Sequence, residues 1–170
     1  MKKNVVLLIL LVFVIFLNKS KFINNKMKSI VITSAKRTPI GKFMGGFGSL
    51  SASELGALVL EEIIKDSKLT KDQIDEVILG QVLTGGSGQN PARQTSCLTN
   101  IPDSKSALTI NQVCGSGLRA ISLGAQSIMT GQSDIVLAGG QESMSNAHHT
   151  ANLRNGIKMG DGQMKDSMII

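Results

Sequence analysis

The fold is decided by one stretch, Ala107–Thr130, which reads ALTINQVCGSGLRAISLGAQSIMT. Its first part, Ala107–Val113, has the apolar and β-branched residues of a strand, and its last part, Ser116–Thr130, has the periodicity of a helix. Cys114 lies at the corner between them, where the free N–H groups and the dipole of a helix N-terminus favour an anion such as a thiolate. The small residues 115–117 leave room for a substrate. The stretch therefore predicts a strand–corner–helix unit with Cys114 as a candidate covalent nucleophile.

Strand-like runs alternate with helix-like runs on both sides of this unit. The predicted strands are Ser29–Ala35, Glu76–Leu83, Ala107–Val113 and Asp134–Gly139. Because strands that alternate with helices form a mainly parallel sheet with right-handed crossovers, the sequence predicts an α/β fold.

Capping signals place the intervening helices. Ser51–Glu54 has the pattern of a capping box, so a helix should follow it. We expect the buried face of that helix to consist of Leu55, Leu58, Val59 and Ile63. A second capping box at Thr70–Gln73 predicts one short turn. Asn90 and Pro91 predict the first residues of a short helix that ends near Cys97.

The net charge of +6 is concentrated in the first 28 residues. Six lysines and no acidic residue lie there, whereas the later residues carry 12 Lys and Arg against 12 Asp and Glu. The chain has no Trp or Tyr, and three of its five Phe precede residue 28. A neutral domain with only two Phe and no other aromatic side chain for stacking argues against a nucleic-acid partner.

The first 26 residues differ in character from the rest. Val5–Leu17 is an uninterrupted apolar run behind Lys2 and Lys3, like the start of a signal peptide. The run is shorter than the roughly 20 residues of a membrane span, and no small-x-small cleavage site follows it. We expect an extended reading frame whose natural start is Met27, and hence a cytoplasmic protein. The alternative is a membrane anchor through residues 5–17.

Three further patterns are weaker candidates for a site. Thr84–Gly88 is rich in glycine but lacks the Gly-Lys-Ser/Thr ending of a phosphate-binding loop, so we interpret it as a turn. His148 and His149 have no Cys or acid at ligand spacing, and no metal site is predicted. The contexts of Cys97 and Cys114 argue against a disulfide and favour reduced thiols. For Cys114, the alternative to a nucleophile is a small buried cysteine at a strand end.

Five long, collinear motifs follow Met27, at Arg37–Phe43, Gly88–Gln94, Asn111–Ala120, Ala138–Ser145 and Lys158–Asp161. Together they resemble the N-terminal part of a thiolase of the acetyl-CoA acetyltransferase type. The resemblance implies a thiolase-like N-terminal half, with a mainly parallel mixed sheet and helices on both faces. It divides the chain into a leader (1–26), an incomplete α/β domain (27–143) and the beginning of an irregular loop region (144–170).

The resemblance also implies an activity. Thiolases interconvert two acetyl-CoA with acetoacetyl-CoA and free CoA, and a cysteine carries the acyl group as a thioester. Cys114 matches that cysteine by motif, and its backbone N–H would help to hold the thioester oxygen. Acyl-CoA is then the substrate, and neither a cofactor nor a metal ion is implied.

Other parts of the family's machinery have no counterpart in this sequence. A family chain is more than twice as long, and its second half supplies a His in a Gly-His-Pro motif and a second Cys in a Cys-x-Gly motif. Neither motif occurs here. We therefore expect an acyltransferase fragment that is inactive alone and whose partner is a C-terminal thiolase half. The alternative is a non-catalytic truncated remnant, or an interaction module of a split thiolase gene.

The resemblance implies open surfaces as well. In the family, a strand that returns after the loop region completes the sheet, which then packs on a similar C-terminal half. We therefore expect an unfilled sheet edge and an uncovered apolar helix face, and hence a chain that forms homo-oligomers or aggregates.

Overall fold

The computed structural model describes residues 29–169, so the predicted leader, including residues 5–17, lies outside the described residues. The helices are α1 (Ala52–Asp66), α2 (Pro91–Leu98) and α3 (Ser116–Thr130). The strands are β1 (Glu76–Gly80), β2 (Ser106–Ile110), β3 (Val136–Gly140), β4 (His149–Thr150) and β5 (Lys165–Asp166). Two 3-10 turns lie at Lys71–Gln73 and Met144–Asn146. Within residues 29–169, no helix has the length and apolar content needed to cross a membrane.

The main sheet has three parallel strands in the order β2–β1–β3. Successive residues of β1 point to opposite faces. Val77 and Leu79 pack with α1 and α2, whereas Gly80 lies against the first turn of α3. The predicted α/β class, with helices on both faces of the sheet, is therefore confirmed. The described antiparallel pairing belongs to a separate ribbon of β4 and β5.

The apolar core lies between the sheet and helices α1 and α2. Its buried members are Leu60, Ile64, Ile74, Val77, Leu79, Ala92, Ile101 and Leu137. Full burial of a side chain of this size stabilises the fold by about 1.5–3 kcal/mol. The core thus fixes α1, α2 and the strands as one unit, against which α3 packs from the other face.

The predicted buried face of α1 is wrong at Leu58, whereas Leu55, Val59 and Ile63 are half-buried and Ile63 packs against the core. Leu58 is 59% exposed, whereas Leu60 and Ile64 are buried. The reason is Gly56, one turn before Leu60, where a Cβ would overlap the side-chain oxygen of Gln141. Because the glycine allows a close approach, the side of the helix that carries residues 56, 60 and 64 faces the interior. Leu58 is left on the exposed side.

The predicted strand Ser29–Ala35 does not form. Val31 and Ile32 are 73% and 76% exposed, and the segment joins neither sheet. A strand requires a hydrogen-bonded neighbour, and no described strand lies beside this segment. Near its end the segment is held by a hydrogen bond between side chains and not by strand pairing. Ser34 Oγ donates to the Asp66 carboxylate at 3.0 Å.

The predicted helix starts are confirmed. The Ser51 N–H donates to Glu54 Oε2 at 2.7 Å, and the Glu54 N–H donates to Ser51 Oγ at 3.2 Å. The backbone N–H and hydroxyl of Ser51 hold the pKa of Glu54 below its usual value. Asn90 accepts the Arg93 N–H at the start of α2, and the second capping box opens the 3-10 turn at Lys71–Gln73.

Both expected open surfaces are present in the described part of the chain. Among the described strands, β3 has a neighbour on one side only. Helix α3 exposes Leu118, Ile121 and Met129. The outer edge of β2 differs from that of β3, because one of its backbone groups has a side-chain partner. The Asn90 side chain donates to the Ala107 carbonyl at 3.0 Å.

Asp75 joins the start of β1 to the start of β3. Its Oδ2 accepts the N–H groups of Asp134 (2.9 Å) and Ile135 (3.0 Å), and Lys105 Nζ lies 3.8 Å from Oδ1. The two backbone N–H groups, aided by Lys105 and opposed by partial burial, hold the pKa of Asp75 below its usual value of 3.8. A lowered pKa in the folded state stabilises the fold above the unfolded value. This contribution is therefore present at neutral pH and is lost as the pH falls below 3.8 through the folded value.

We expect Asp75→Asn to lower the stability at neutral pH by about 1 kcal/mol, because a neutral amide oxygen accepts the two N–H groups more weakly than the carboxylate does. The variant should also lose less stability than the parent between neutral and acidic pH, because it lacks the titrating group. Urea unfolding followed by circular dichroism at several pH values measures both effects. Asp161→Asn, in an exposed loop, serves as the control. Equal acid sensitivity of the parent and Asp75→Asn would contradict the assignment.

Candidate active site

The first turn of α3 rests directly on the carboxyl ends of β1 and β3. A Cβ at Gly80 would lie 2.5 Å from the main chain of Ser116, and one at Gly140 would lie 3.2 Å from Gly117 Cα. These glycines therefore allow the backbone of α3 to touch the strand ends. The contact places Cys114 at the edge where open parallel sheets bind ligands.

A cavity of about 510 Å³ opens beside this contact. Its size lies within the range of small-molecule sites. Cys114 lines it, and its thiol is free and exposed. The apolar side chains that line it with Cys114 are Val82, Leu83, Val113, Met144 and Met168. The predicted location of Cys114 is confirmed, and the alternative of a buried structural cysteine is wrong. Its role as nucleophile stays a prediction.

Backbone donors are available at the start of α3. The residue before the helix is Gly115, so no side chain caps the first turn. An isolated backbone bridge joins Gln112 and Cys114 just before the helix. Uncapped N–H groups and the helix dipole favour negative charge at this end. The surroundings of Cys114 therefore suit an oxyanion next to the sulfur.

The corner that carries Cys114 is closed by side-chain hydrogen bonds. Asn111 Oδ1 accepts the Val113 N–H at 2.9 Å, and Asn111 Nδ2 donates to the Val82 carbonyl at 3.3 Å. Ser116 Oγ donates to the Val113 carbonyl at 2.7 Å and accepts the Gln112 N–H at 2.8 Å. These bonds end β2 at Ile110, three residues earlier than predicted.

A carboxylate also ends β1 earlier than predicted. Glu142 accepts the N–H groups of Val82 (2.8 Å) and Leu83 (3.3 Å), so β1 ends at Gly80 and its last predicted residues become a wall of the cavity. Beside it, the buried Gln141 amide donates to Gln81 Oε1 at 3.0 Å. Sequence reasoning missed these roles. The one signal was that Gln141 and Glu142 belong to the motif Ala138–Ser145.

The other sequence candidates lie elsewhere. Cys97 is an exposed free thiol 3.9 Å from Asp103 and does not line the cavity. His148 borders a separate polar cavity of about 310 Å³. Within residues 29–169, no group of three His, Cys, Asp or Glu side chains could hold a metal ion. Thr84–Gly88 forms a turn, in which the Ser87 N–H donates to the Thr84 carbonyl at 3.1 Å.

Comparison with known proteins agrees with this geometry. Residues 30–170 match the family described as thiolase, N-terminal domain. The acetyl-CoA acetyltransferase of Allochromatium vinosum is 54% identical over 144 residues, which are 84% of this chain and 36% of that protein. The acetyl-CoA acetyltransferase of Rhizobium meliloti is 52% identical over 141 residues, which are 83% of this chain and 36% of that protein.

A crystal structure supports the same assignment. The Acat5 thiolase from Ascaris suum, solved in complex with coenzyme A, has a TM-score of 0.79 and 47% sequence identity. The match covers 83% of this chain and 37% of that one. The chain thus spans little more than a third of the length of these relatives. In sequence and fold, the chain belongs to the thiolase family, whose N-terminal domain it matches.

Proposed function

We propose that this chain supplies the nucleophile of an acetyl-CoA acetyltransferase, with Cys114 carrying the acyl group as a thioester. The observation that supports the proposal is the exposed Cys114 thiol at the uncapped start of α3, inside a cavity. The similar proteins named above are acetyl-CoA acetyltransferases, and the Ascaris suum thiolase was crystallised with coenzyme A. An acyl-CoA thioester is therefore the proposed substrate.

The first step is a thioester exchange. Cys114 Sγ attacks the carbonyl carbon of acetyl-CoA, a new C–S bond forms, and the bond from that carbon to the CoA sulfur breaks. The proton lost by Cys114 ends on the CoA thiol. The negative charge that develops on the carbonyl oxygen meets the N–H groups of the uncapped first turn of α3 and the positive end of the helix dipole.

The second step needs groups that this sequence lacks. A second acetyl-CoA must lose a proton from its methyl group, and the resulting carbanion must attack the acyl group on Cys114. The resemblance assigns the required acid–base groups to a His in Gly-His-Pro and a Cys in Cys-x-Gly, and neither motif occurs in residues 1–170. We propose that a C-terminal thiolase half with these motifs completes the catalytic site.

One observation favours a second, non-catalytic function. The exposed row of Leu118, Ile121 and Met129 on α3 is an apolar surface that association would bury. On this reading, the chain is an interaction module that binds another thiolase chain or a second copy of itself. The two functions differ in whether Cys114 accepts an acyl group. For either one, two free thiols are in keeping with a cytoplasmic location.

Acetylation of the full chain tests the proposal. The chain is incubated with acetyl-CoA, alone and with the C-terminal half of an acetyl-CoA acetyltransferase, and the acetyl group is located by peptide mass spectrometry. We expect acetylation at Cys114 that is lost in Cys114→Ala and kept in Cys97→Ala. Absence of acetyl-Cys114 under both conditions, or equal acetylation of Cys97, would leave only the interaction function.

A further inference from the structure

Val113, the residue directly before Cys114, has an unusual backbone conformation. Its φ is +50°, in the left-handed region. Five described residues other than glycine have a positive φ, and among them Val113 alone is β-branched. The branched Cβ makes this region costly for valine. Such a conformation persists only where the surrounding structure enforces it.

Two side chains enforce it by binding both ends of the residue. Asn111 Oδ1 accepts the Val113 N–H at 2.9 Å, and Ser116 Oγ donates to the Val113 carbonyl at 2.7 Å. Asn111 is itself fixed to the segment that follows β1 by its hydrogen bond to the Val82 carbonyl. Ser116 is buried and also accepts the Gln112 N–H. The strained residue is thus connected to the segment after β1 on one side and to α3 on the other.

The left-handed turn has a direct consequence for the thiol. Relaxation of Val113 to a negative φ would rotate the chain by more than a right angle just before Cys114. That rotation would move Cys114 away from the start of α3 and from the cavity that it lines. The valine side chain is 64% exposed and lines the same cavity. A valine at this position therefore supplies an apolar wall that glycine would not.

We propose that Asn111 and Ser116 are positioning residues that hold Val113 in the left-handed conformation and thereby present Cys114 at the N-terminus of α3. The importance of this arrangement for catalysis rests on the proposed function, but the arrangement itself governs how fast the thiol reacts with any small electrophile. It can therefore be tested without acyl-CoA.

The test measures alkylation of the full chain by iodoacetamide, with Cys97 as a reference thiol in the same sample. Asn111→Ala and Ser116→Ala should slow the labelling of Cys114 relative to Cys97 by about fivefold or more, as expected for the loss of one ordinary hydrogen bond. Asn111→Asp keeps the acceptor for the Val113 N–H but loses the donor to the Val82 carbonyl, so it should restore the rate in part. Asn155→Ala, in an exposed turn, serves as the matched control. Measurement across pH separates the reactivity of the thiolate from its ionisation.

A double-mutant comparison distinguishes positioning from a general loss of stability. Val113→Gly removes the cost of the left-handed conformation, so Asn111→Ala should slow Cys114 less in that background than in the parent. Equal slowing in both backgrounds, parallel slowing of Cys97, or no rescue by Asn111→Asp would overturn the proposal. Asn111 is exposed, so its variants decide the question even if Ser116→Ala, at a buried position, does not fold.

The two proposals fail in different ways. Labelling rates that change as expected without any acetylation of Cys114 would reject the proposed function and keep the positioning roles. Unchanged labelling rates in a chain that does accept acetyl groups would reject the positioning roles alone.

Discussion

We expect the purified chain to cleave acetoacetyl-CoA no faster than the background reaction, and the C-terminal half of an acetyl-CoA acetyltransferase to raise the rate by about a thousandfold or more. The physical reason is that a nucleophile and its acid–base partners act as a unit. Cys114 has a cavity and backbone donors, but the sequence lacks the Gly-His-Pro and Cys-x-Gly motifs that the resemblance assigns to proton transfer.

The complementing half is best taken from the Allochromatium vinosum protein, because it is 54% identical to this chain over the matched 36% of its length. The half comprises the residues that follow the matched part, and the two polypeptides are produced together. Cys114→Ala in the mixture should return the rate to background, and the half alone should be inactive. Turnover by this chain alone that Cys114→Ala abolishes would contradict the prediction. So would a stable complex of the two halves with no gain in rate.

Locally specified elements could be predicted from the sequence. The prediction of α3 as Ser116–Thr130 agrees with the structure at both ends. Small residues open this helix, and Gly131 closes it with a φ of +74°, a conformation that glycine adopts without strain. Capping side chains likewise fixed the starts of α1 and α2. In each case the signal lies within a few residues of the boundary.

Elements that depend on distant partners could not be predicted in the same way. Ser29–Ala35 has the composition of a strand, but pairing requires a neighbour that the described residues do not provide. The orientation of α1 depends on the contact of Gly56 with Gln141, which is 85 residues away in the sequence. Such contacts leave no periodic signal in the helix itself.

The same difference between local signals and distant contacts explains why only part of the site could be predicted. Cys114 could be identified because the strand, the corner and the helix are consecutive in sequence. The role of Glu142 could not, because its carboxylate binds backbone N–H groups about 60 residues away. The positive φ of Val113 was also hidden, because valine usually indicates an extended strand.

Gly80 is the position where we expect one added methyl group to have the largest effect. A Cβ there would lie 2.5 Å from both the carbonyl carbon and Cβ of Ser116, and 2.8 Å from Gly117 N. Because most of these atoms belong to the backbone, no side-chain rotation can relieve the overlap. Gly80→Ala should therefore lower the free energy of unfolding by about 1–3 kcal/mol, as overpacked cores do. It should also slow the alkylation of Cys114 relative to Cys97, since α3 must move away from β1.

The neighbouring strand offers a matched control. Gly139 lies beside Leu79 in the sheet register, and a Cβ there would meet no atom within 4 Å. Gly139→Ala should leave the labelling of Cys114 unchanged and stabilise the fold by up to about 1 kcal/mol, because alanine has fewer conformations to lose on folding. Urea unfolding and iodoacetamide labelling measure both effects. If the two variants behaved alike, close packing of α3 on the end of β1 would not be what holds Cys114 at the cavity. A loss confined to Gly80→Ala would locate that support at the contact between Gly80 and Ser116.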